Sequence, residues 1–139
     1  MKSLLDTCVI SEVHHPRGNP KIKAWVNDVP DEHLFLSVLT IGEIWKGIHL
    51  LPSGIRKHSL SEWVDETVRN YADRILPIDL ETTEIWAAAT ARNSQTGKIL
   101  PAVDGLVAAT AIRHGLTVVT RNLRHFEMAG AMTMNPWED

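Results

Sequence analysis

Residues 102–120, AVDGLVAATAIRHGLTVVT, decide the architecture. From Ala102 to His114 the apolar side chains Val103, Leu106, Val107, Ala108, Ala109, Ala111 and Ile112 fall on almost every side of a 3.6-residue repeat, so the helix predicted here belongs inside the protein. Gly115 suits the left-handed residue that ends such a helix, and Leu116–Thr120 reads as a short buried strand. The same alternation runs through the upstream sequence. Ser3–Leu5 reads as a strand, Asp6 as an acidic corner and Thr7–Ile10 as the start of a short helix that the Pro16, Gly18, Pro20 stretch ends. Lys21–Asp28 carries Ile22, Trp25 and Val26 at helical spacing, and Leu34–Leu39 is an apolar run of strand length. Thr40 through about Leu51 puts Ile41, Ile44, Trp45, Ile48 and Leu51 on one stripe, closed by Pro52 and Gly54.

Beyond it, Ile55–Tyr71 is a charged, amphipathic helix. Arg74–Ile78 reads as a third strand that Pro77 places near a sheet edge, and Thr82–Gln95 is helical. A loop at Gly97–Pro101 leads into the apolar helix, and Ala131–Met134 is a weak fifth strand before Asn135 and Pro136. Strands alternating with helices require an open parallel sheet covered on both faces, because parallel neighbours are joined by helical crossovers. The expected fold is therefore a three-layer α/β sandwich. In such folds the strand carboxyl ends and helix amino ends share one edge, and ligands bind there.

The 139-residue chain has the size of one domain, read as residues 1–139. Hydrophobic residues at 44% and charged residues at 22% exclude a disordered, coiled-coil or collagen-like chain. No apolar run approaches the roughly 18 residues of a membrane span, and Asp6 interrupts what a signal peptide would keep apolar. A cytoplasmic location without membrane attachment is expected. The single cysteine, Cys8, allows neither an internal disulfide nor a cysteine zinc cluster. A net charge of -3 excludes a globally basic nucleic-acid surface, leaving only local groups of cations at Arg17, Lys21 and Lys23, at Arg56 and Lys57, and at Arg121 and Arg124.

Four polar residues fall on the expected binding edge: Asp6 after the first strand, Glu43 in the first turn after the second, Asp104 opening the apolar helix, and Asn122 past the fourth strand. Each has a local explanation. Thr40 and Glu43 fit a Ser/Thr-x-x-Glu capping box, Asp104 complements a helix dipole, and Asp6 and Asn122 suit turns or caps. Together, three carboxylates on the rim of a sheet repel one another unless a cation compensates. Oxygen donors without a matching histidine or cysteine pair select a hard ion, Mg2+ or Mn2+, whose usual companion ligand is a phosphate. The seven histidines show no ligand spacing and are expected as surface or packing residues, with His125 near Asn122 the one close to the site. The five tryptophans are expected in the core or at interfaces. Gly-x-Ser-x-Gly, His-Glu-x-x-His, Gly-x-Gly-x-x-Gly and a phosphate loop are all absent from the sequence.

Four segments in this order resemble the PIN-domain ribonuclease toxins of bacterial toxin-antitoxin pairs, of the VapC/FitB type. They are Leu4-Leu5-Asp6-Thr7 with Val9-Ile10-Ser11-Glu12; Thr40-Ile41-Gly42-Glu43-Ile44 with Gly47-Ile48; Asp104-Gly105-Leu106-Val107-Ala108-Ala109-Thr110-Ala111; and Thr120-Arg121-Asn122 with Phe126, followed by Asn135-Pro136-Trp137. The resemblance implies a PIN-like sandwich on a five-stranded parallel sheet, a Mg2+ or Mn2+ site, and hydrolysis of RNA phosphodiesters. It maps Asp6, Glu43 and Asp104 onto the metal-binding acids and Asn122 onto the fourth position, where members carry Asp or Asn, with Thr120 and His125 as lesser candidates. It leaves open whether Glu43 binds metal directly, through water, or serves as general base. It also implies a homodimer and a cognate antitoxin of the VapB/FitA kind whose tail occludes the site. Two other readings stand beside it: a Mg2+-binding signalling receiver with Asp79 as phosphoacceptor, and a catalytically silent module that only sequesters an antitoxin. The receiver reading lacks paired acids after the first strand, where Asp6 is followed by Thr7 and Cys8.

Overall fold

The structure, a computed structural model, describes residues 1–138. Its strands are β1 (Ser3–Leu5), β2 (Leu34–Ser37), β3 (Ile75–Leu76), β4 (Thr117–Val119) and β5 (Met132–Met134). They pair in parallel in the order β3-β2-β1-β4-β5. The helices are α1 (Thr7–His14), α2 (Pro20–Asp28), α3 (Val38–His49), α4 (Ile55–Asn70), α5 (Leu80–Gln95), α6 (Ala102–His114) and α7 (Leu123–Met128). Central β1 pairs Leu4 with both Phe35 and Val118, so its side chains alternate between two covered faces. Leu5 and Val119 enter a core built with α1 to α4, while Leu4 and Val118 enter a second core with α6 and Phe126 of α7. Leu4 and Leu5 are fully buried, and each such side chain contributes about 2 kcal/mol of apolar burial. This is the three-layer α/β sandwich expected from the alternation, with Pro77 just past β3, the edge strand.

Several boundaries differ from the sequence expectation. The second strand stops at Ser37, because the Ser37 hydroxyl accepts the Leu39 N–H at 3.1 Å and caps α3 there. Thr40 is consequently a fully buried residue inside the helix and not its cap. Glu43 belongs to the second turn and has no capping role, so both the capping box and the first-turn placement are overturned. The third strand contracts to two residues. The segment 123–128, which carried no helical expectation, forms α7, burying Phe126.

Helix α6 is less enclosed than its composition demands. Gly105, Val107, Ala108, Ala109, Thr110 and Ala111 are buried, but Val103 and Ile112 remain 38% and 39% exposed. An outer-layer helix packs against the sheet and against α5, and its remaining side faces water whatever its sequence. Gly105 permits the α5 contact, since a Cβ there would lie 3.0 Å from Trp86 Cδ1. Gly115 ends α6 with φ +66°, the left-handed conformation expected of it.

Candidate active site at the β1–β4 crevice

The strand order reverses at the centre of the sheet: from β1 the chain builds outward through β2 to β3, then returns to the other flank of β1 with β4 and β5. The crevice outside the carboxyl ends of β1 and β4 is therefore the topological switch point. Asp6 and Thr120 are the residues that leave these two strands. Ladder bonds hold both backbones, Asp6 N–H to Val119 O at 3.0 Å and Thr120 N–H to Met134 O at 3.0 Å.

Their side chains meet. The fully buried Thr120 hydroxyl donates to Asp6 Oδ2 at 2.8 Å, and the Thr7 N–H donates to Asp6 Oδ1 at 2.9 Å as Asp6 caps α1. Cys8 Sγ approaches both Asp6 Oδ2 and Thr120 Oγ1 at 3.7 Å. Burial, and secondarily the Asp104 charge, push the Asp6 carboxyl above its ordinary pKa; the Thr120, Thr7 and Cys8 hydrogen bonds pull the other way without cancelling it. Asp104 is thus brought within electrostatic reach of Asp6 although 98 residues separate them in sequence.

The remaining candidates sit around this pair. Glu43 is exposed, and its Oε1 accepts the Thr7 hydroxyl at 3.0 Å, tying α3 to the first turn of α1. Asp104, in the first turn of α6, meets His125 Nδ1 of α7 at 2.8 Å through Oδ2. Asn122 reaches the cluster through its backbone: its N–H donates to Thr120 Oγ1 at 3.0 Å, and its side chain leaves the end of α7 uncapped. The expected tight convergence of three carboxylates is not reached. Among the described residues no three His, Cys, Asp or Glu side chains lie close enough together to hold an ion. The arrangement is a carboxylate pair, Asp6 and Asp104, with Glu43 held to one side through Thr7.

Sequence reasoning gave no role to Thr7 or Cys8. Thr7 supplies a backbone donor to Asp6 and a hydroxyl donor to Glu43, and its position directly after Asp6 is the signal that could have found it. Burial raises the pKa of the Cys8 thiol. Asp79, the alternative phosphoacceptor, is instead the cap of α5. The Thr82 hydroxyl and N–H donate to it at 2.7 and 2.9 Å and hold its pKa below the ordinary carboxylate value. His14 packs against Trp63, ring centroids 4.1 Å apart, as expected of a packing histidine. Trp45, expected in the core or an interface, is 45% exposed on α3. Beside the acids, an open trough of about 760 Å3 starts at Thr7 and Glu43. It runs between α1, α3 and α4 past Ile44, Ile48 and Leu60 to the His14–Trp63 pair. No helix among the described residues is long and apolar enough to cross a membrane.

A family model described as the PIN domain matches residues 3–131. The chain is 39% identical over 137 residues to a protein named Toxin FitB from Neisseria gonorrhoeae, spanning 98% of this chain and 99% of that one. It is 36% identical over 136 residues to VapC ribonuclease Y4jK from Sinorhizobium fredii, spanning 97% of each. The crystal structure of FitAcB from Neisseria gonorrhoeae superposes with a TM-score of 0.92 at 38% identity, covering 99% of both chains. The match in sequence, in strand order and in the residues gathered at the switch point makes this chain a member of the PIN domain family, of the FitB and VapC toxin type.

Proposed function

We propose that the protein is a divalent-metal-dependent endoribonuclease that acts as the toxin of a toxin-antitoxin pair in the cytoplasm. The observation that carries this reading is Asp6, a carboxylate kept protonation-prone by burial and by the neighbouring Asp104 charge. Such a pair is at ease ionised only beside a cation. The donor set, carboxylate and hydroxyl oxygens without a ligating thiolate pair, fits Mg2+ or Mn2+, which take one or two carboxylates and complete their shell with water and phosphate. Asp6 and Asp104 would hold the ion. When bound, it supplies positive charge to the scissile phosphate and makes a water acidic enough to attack in line.

The chain's own groups do the rest. Thr120 and the Thr7 N–H orient the Asp6 carboxylate. Glu43, fixed by the Thr7 hydroxyl and open to solvent, acts through water and takes the proton of the attacking water. His125 orients Asp104 through the free oxygen pairing at Oδ2. Water oxygen bonds to phosphorus, the P–O3′ bond breaks, and the leaving oxygen takes a proton, giving a 3′-hydroxyl and a 5′-phosphate. Asn122 offers a neutral carbonyl oxygen at the outer edge.

The names FitB and VapC ribonuclease borne by relatives covering the whole chain support the toxin and RNA assignments. The assembly titled FitAB, bound to a DNA fragment and 38% identical in its matching chain, supports an antitoxin partner. The apolar trough that begins at Thr7 and Glu43 suits a segment of that partner, with an arginine reaching the acids in paired hydrogen bonds. Cleavage of labelled RNA should vanish in excess chelator and return with Mg2+ or Mn2+. Undiminished cleavage in chelator would falsify the metal reading, and failure to cleave RNA with metal present would remove the nuclease assignment.

A further inference from the structure

We infer that Arg121, stacked on Trp137, is a positioning residue that grips a phosphate of single-stranded RNA adjacent to the phosphate being cleaved. The inference rests on the ribonuclease reading. Arg121 sits between Thr120, bonded to Asp6, and Asn122, bonded to Thr120, and its own N–H lies 3.5 Å from Cys8 Sγ. Its backbone is thereby fixed at the rim of the acidic pair, while its side chain is exposed. The guanidinium lies 5.3 Å from the centre of the Trp137 ring. That ring is held in turn: the Trp137 N–H donates to Asn135 Oδ1 at 2.9 Å, and the half-buried indole packs against the core shared by α1 to α4.

Stacking engages the face of a guanidinium and leaves its edge, with the N–H donors, free to meet a phosphate in the plane. Among the described residues neither Arg121 nor Arg124, one turn along in α7, has a carboxylate within ion-pairing distance, whereas Arg74 and Arg113 do. Two uncommitted cations thus flank a carboxylate pair on a chain of net charge -3. A polyanion approaching such a surface is drawn to the cations and repelled by the acids, so the cations set where the backbone lies. Holding Arg121 against indole before the substrate arrives reduces the conformational freedom lost on binding.

The test uses a labelled single-stranded RNA oligomer with the full chain. Cleavage is followed with Mg2+ as a function of salt, and binding is followed by anisotropy in an Asp104→Asn background. Arg121→Ala should raise KM roughly ten-fold with kcat within about two-fold of the parent, and the log–log salt slope should become shallower by about 0.7 for the one lost phosphate contact. Arg121→Lys should keep the slope and recover part of the affinity, and Trp137→Leu should raise KM with the slope unchanged. Parental KM and slope in Arg121→Ala, or a fall in kcat alone, would overturn the inference by showing that the residue matters only to the loop backbone. If the parent binds the oligomer without cleaving it, the ribonuclease reading fails while the anisotropy slopes still decide Arg121. If the parent neither binds nor cleaves, both fall.

Discussion

Replacing Thr120 with valine removes one oxygen from a fully buried, nearly isosteric side chain, and so isolates the hydrogen bond that joins β4 to the Asp6 carboxylate. Hydrogen bonds to charged groups contribute about 1.5–3 kcal/mol. The second bond lost, from the Asn122 N–H, lies at an exposed residue where water replaces it, and the valine methyl leaves no cavity. The net loss in metal-free protein at neutral pH is therefore about 2 kcal/mol. With about 2.1 cal/mol/K of unfolding entropy per residue and 139 residues, the melting temperature should fall by about 7 °C.

The loss must depend on pH with a definite sign. Burial holds the Asp6 pKa above its unfolded value, so the folded protein loses stability as pH rises through the folded pKa and Asp6 ionises. Thr120 opposes that rise by stabilising the ionised form. Without it the pKa climbs further, and parent and variant diverge most where Asp6 is ionised. Calorimetric melts in chelator should show the full difference near about pH 8 and a smaller one near about pH 4. The acid limb of the cleavage profile should move to higher pH. A difference that is equal at both pH values, or larger in acid, would show that Thr120 stabilises the fold by packing alone and would refute its role as a carboxylate anchor.

Asn122→Asp should tighten Mn2+ binding in titration calorimetry without RNA by adding a fourth negative charge near the Asp6–Asp104 pair, while Asn122→Ala should lower cleavage less than Asp104→Ala does. Gly105→Ala places a methyl 3.0 Å from Trp86 and 3.1 Å from Leu100, and should cost about 1–3 kcal/mol in urea titrations with cleavage per folded molecule retained. The Cys8 thiol, its pKa raised by burial, should alkylate more slowly at neutral pH than free cysteine, and a rate matching the free amino acid would show the crevice to be open at Cys8.

Elements whose signal lies within a few residues were legible from sequence alone. The apolar run of α6 and Gly115 after it announce a buried helix and its left-handed stop, because periodic burial and backbone sterics act locally. Asp6, Glu43, Asp104 and Asn122 could be placed on one edge for the same reason: in a parallel sheet every strand exit and helix entry shares that edge, whatever the strand order. Where two local signals compete, the sequence does not choose between them. Ser37 and Thr40 are both competent caps, and the pairing of β2 with β1 and β3 up to Ser37 decides for Ser37, turning Thr40 into a core residue. Val103 and Ile112 look as buried as Val107 in the sequence, yet the layer outside α6 is water, which no helical pattern reports.

The chemistry of the site belonged almost wholly to tertiary structure. The order β3-β2-β1-β4-β5 brings Thr120 to Asp6 across 114 residues, and α7, unforeseen because its six residues are too short to show a period, delivers His125 to Asp104. Thr7 holding Glu43 and Trp137 beneath Arg121 arise in the same way. Residue type and local spacing determine which groups can ionise, cap or enter the core; which of them touch depends on strand order and layer packing, because hydrogen bonds and charge interactions act over a few ångströms of space and are indifferent to distance along the chain.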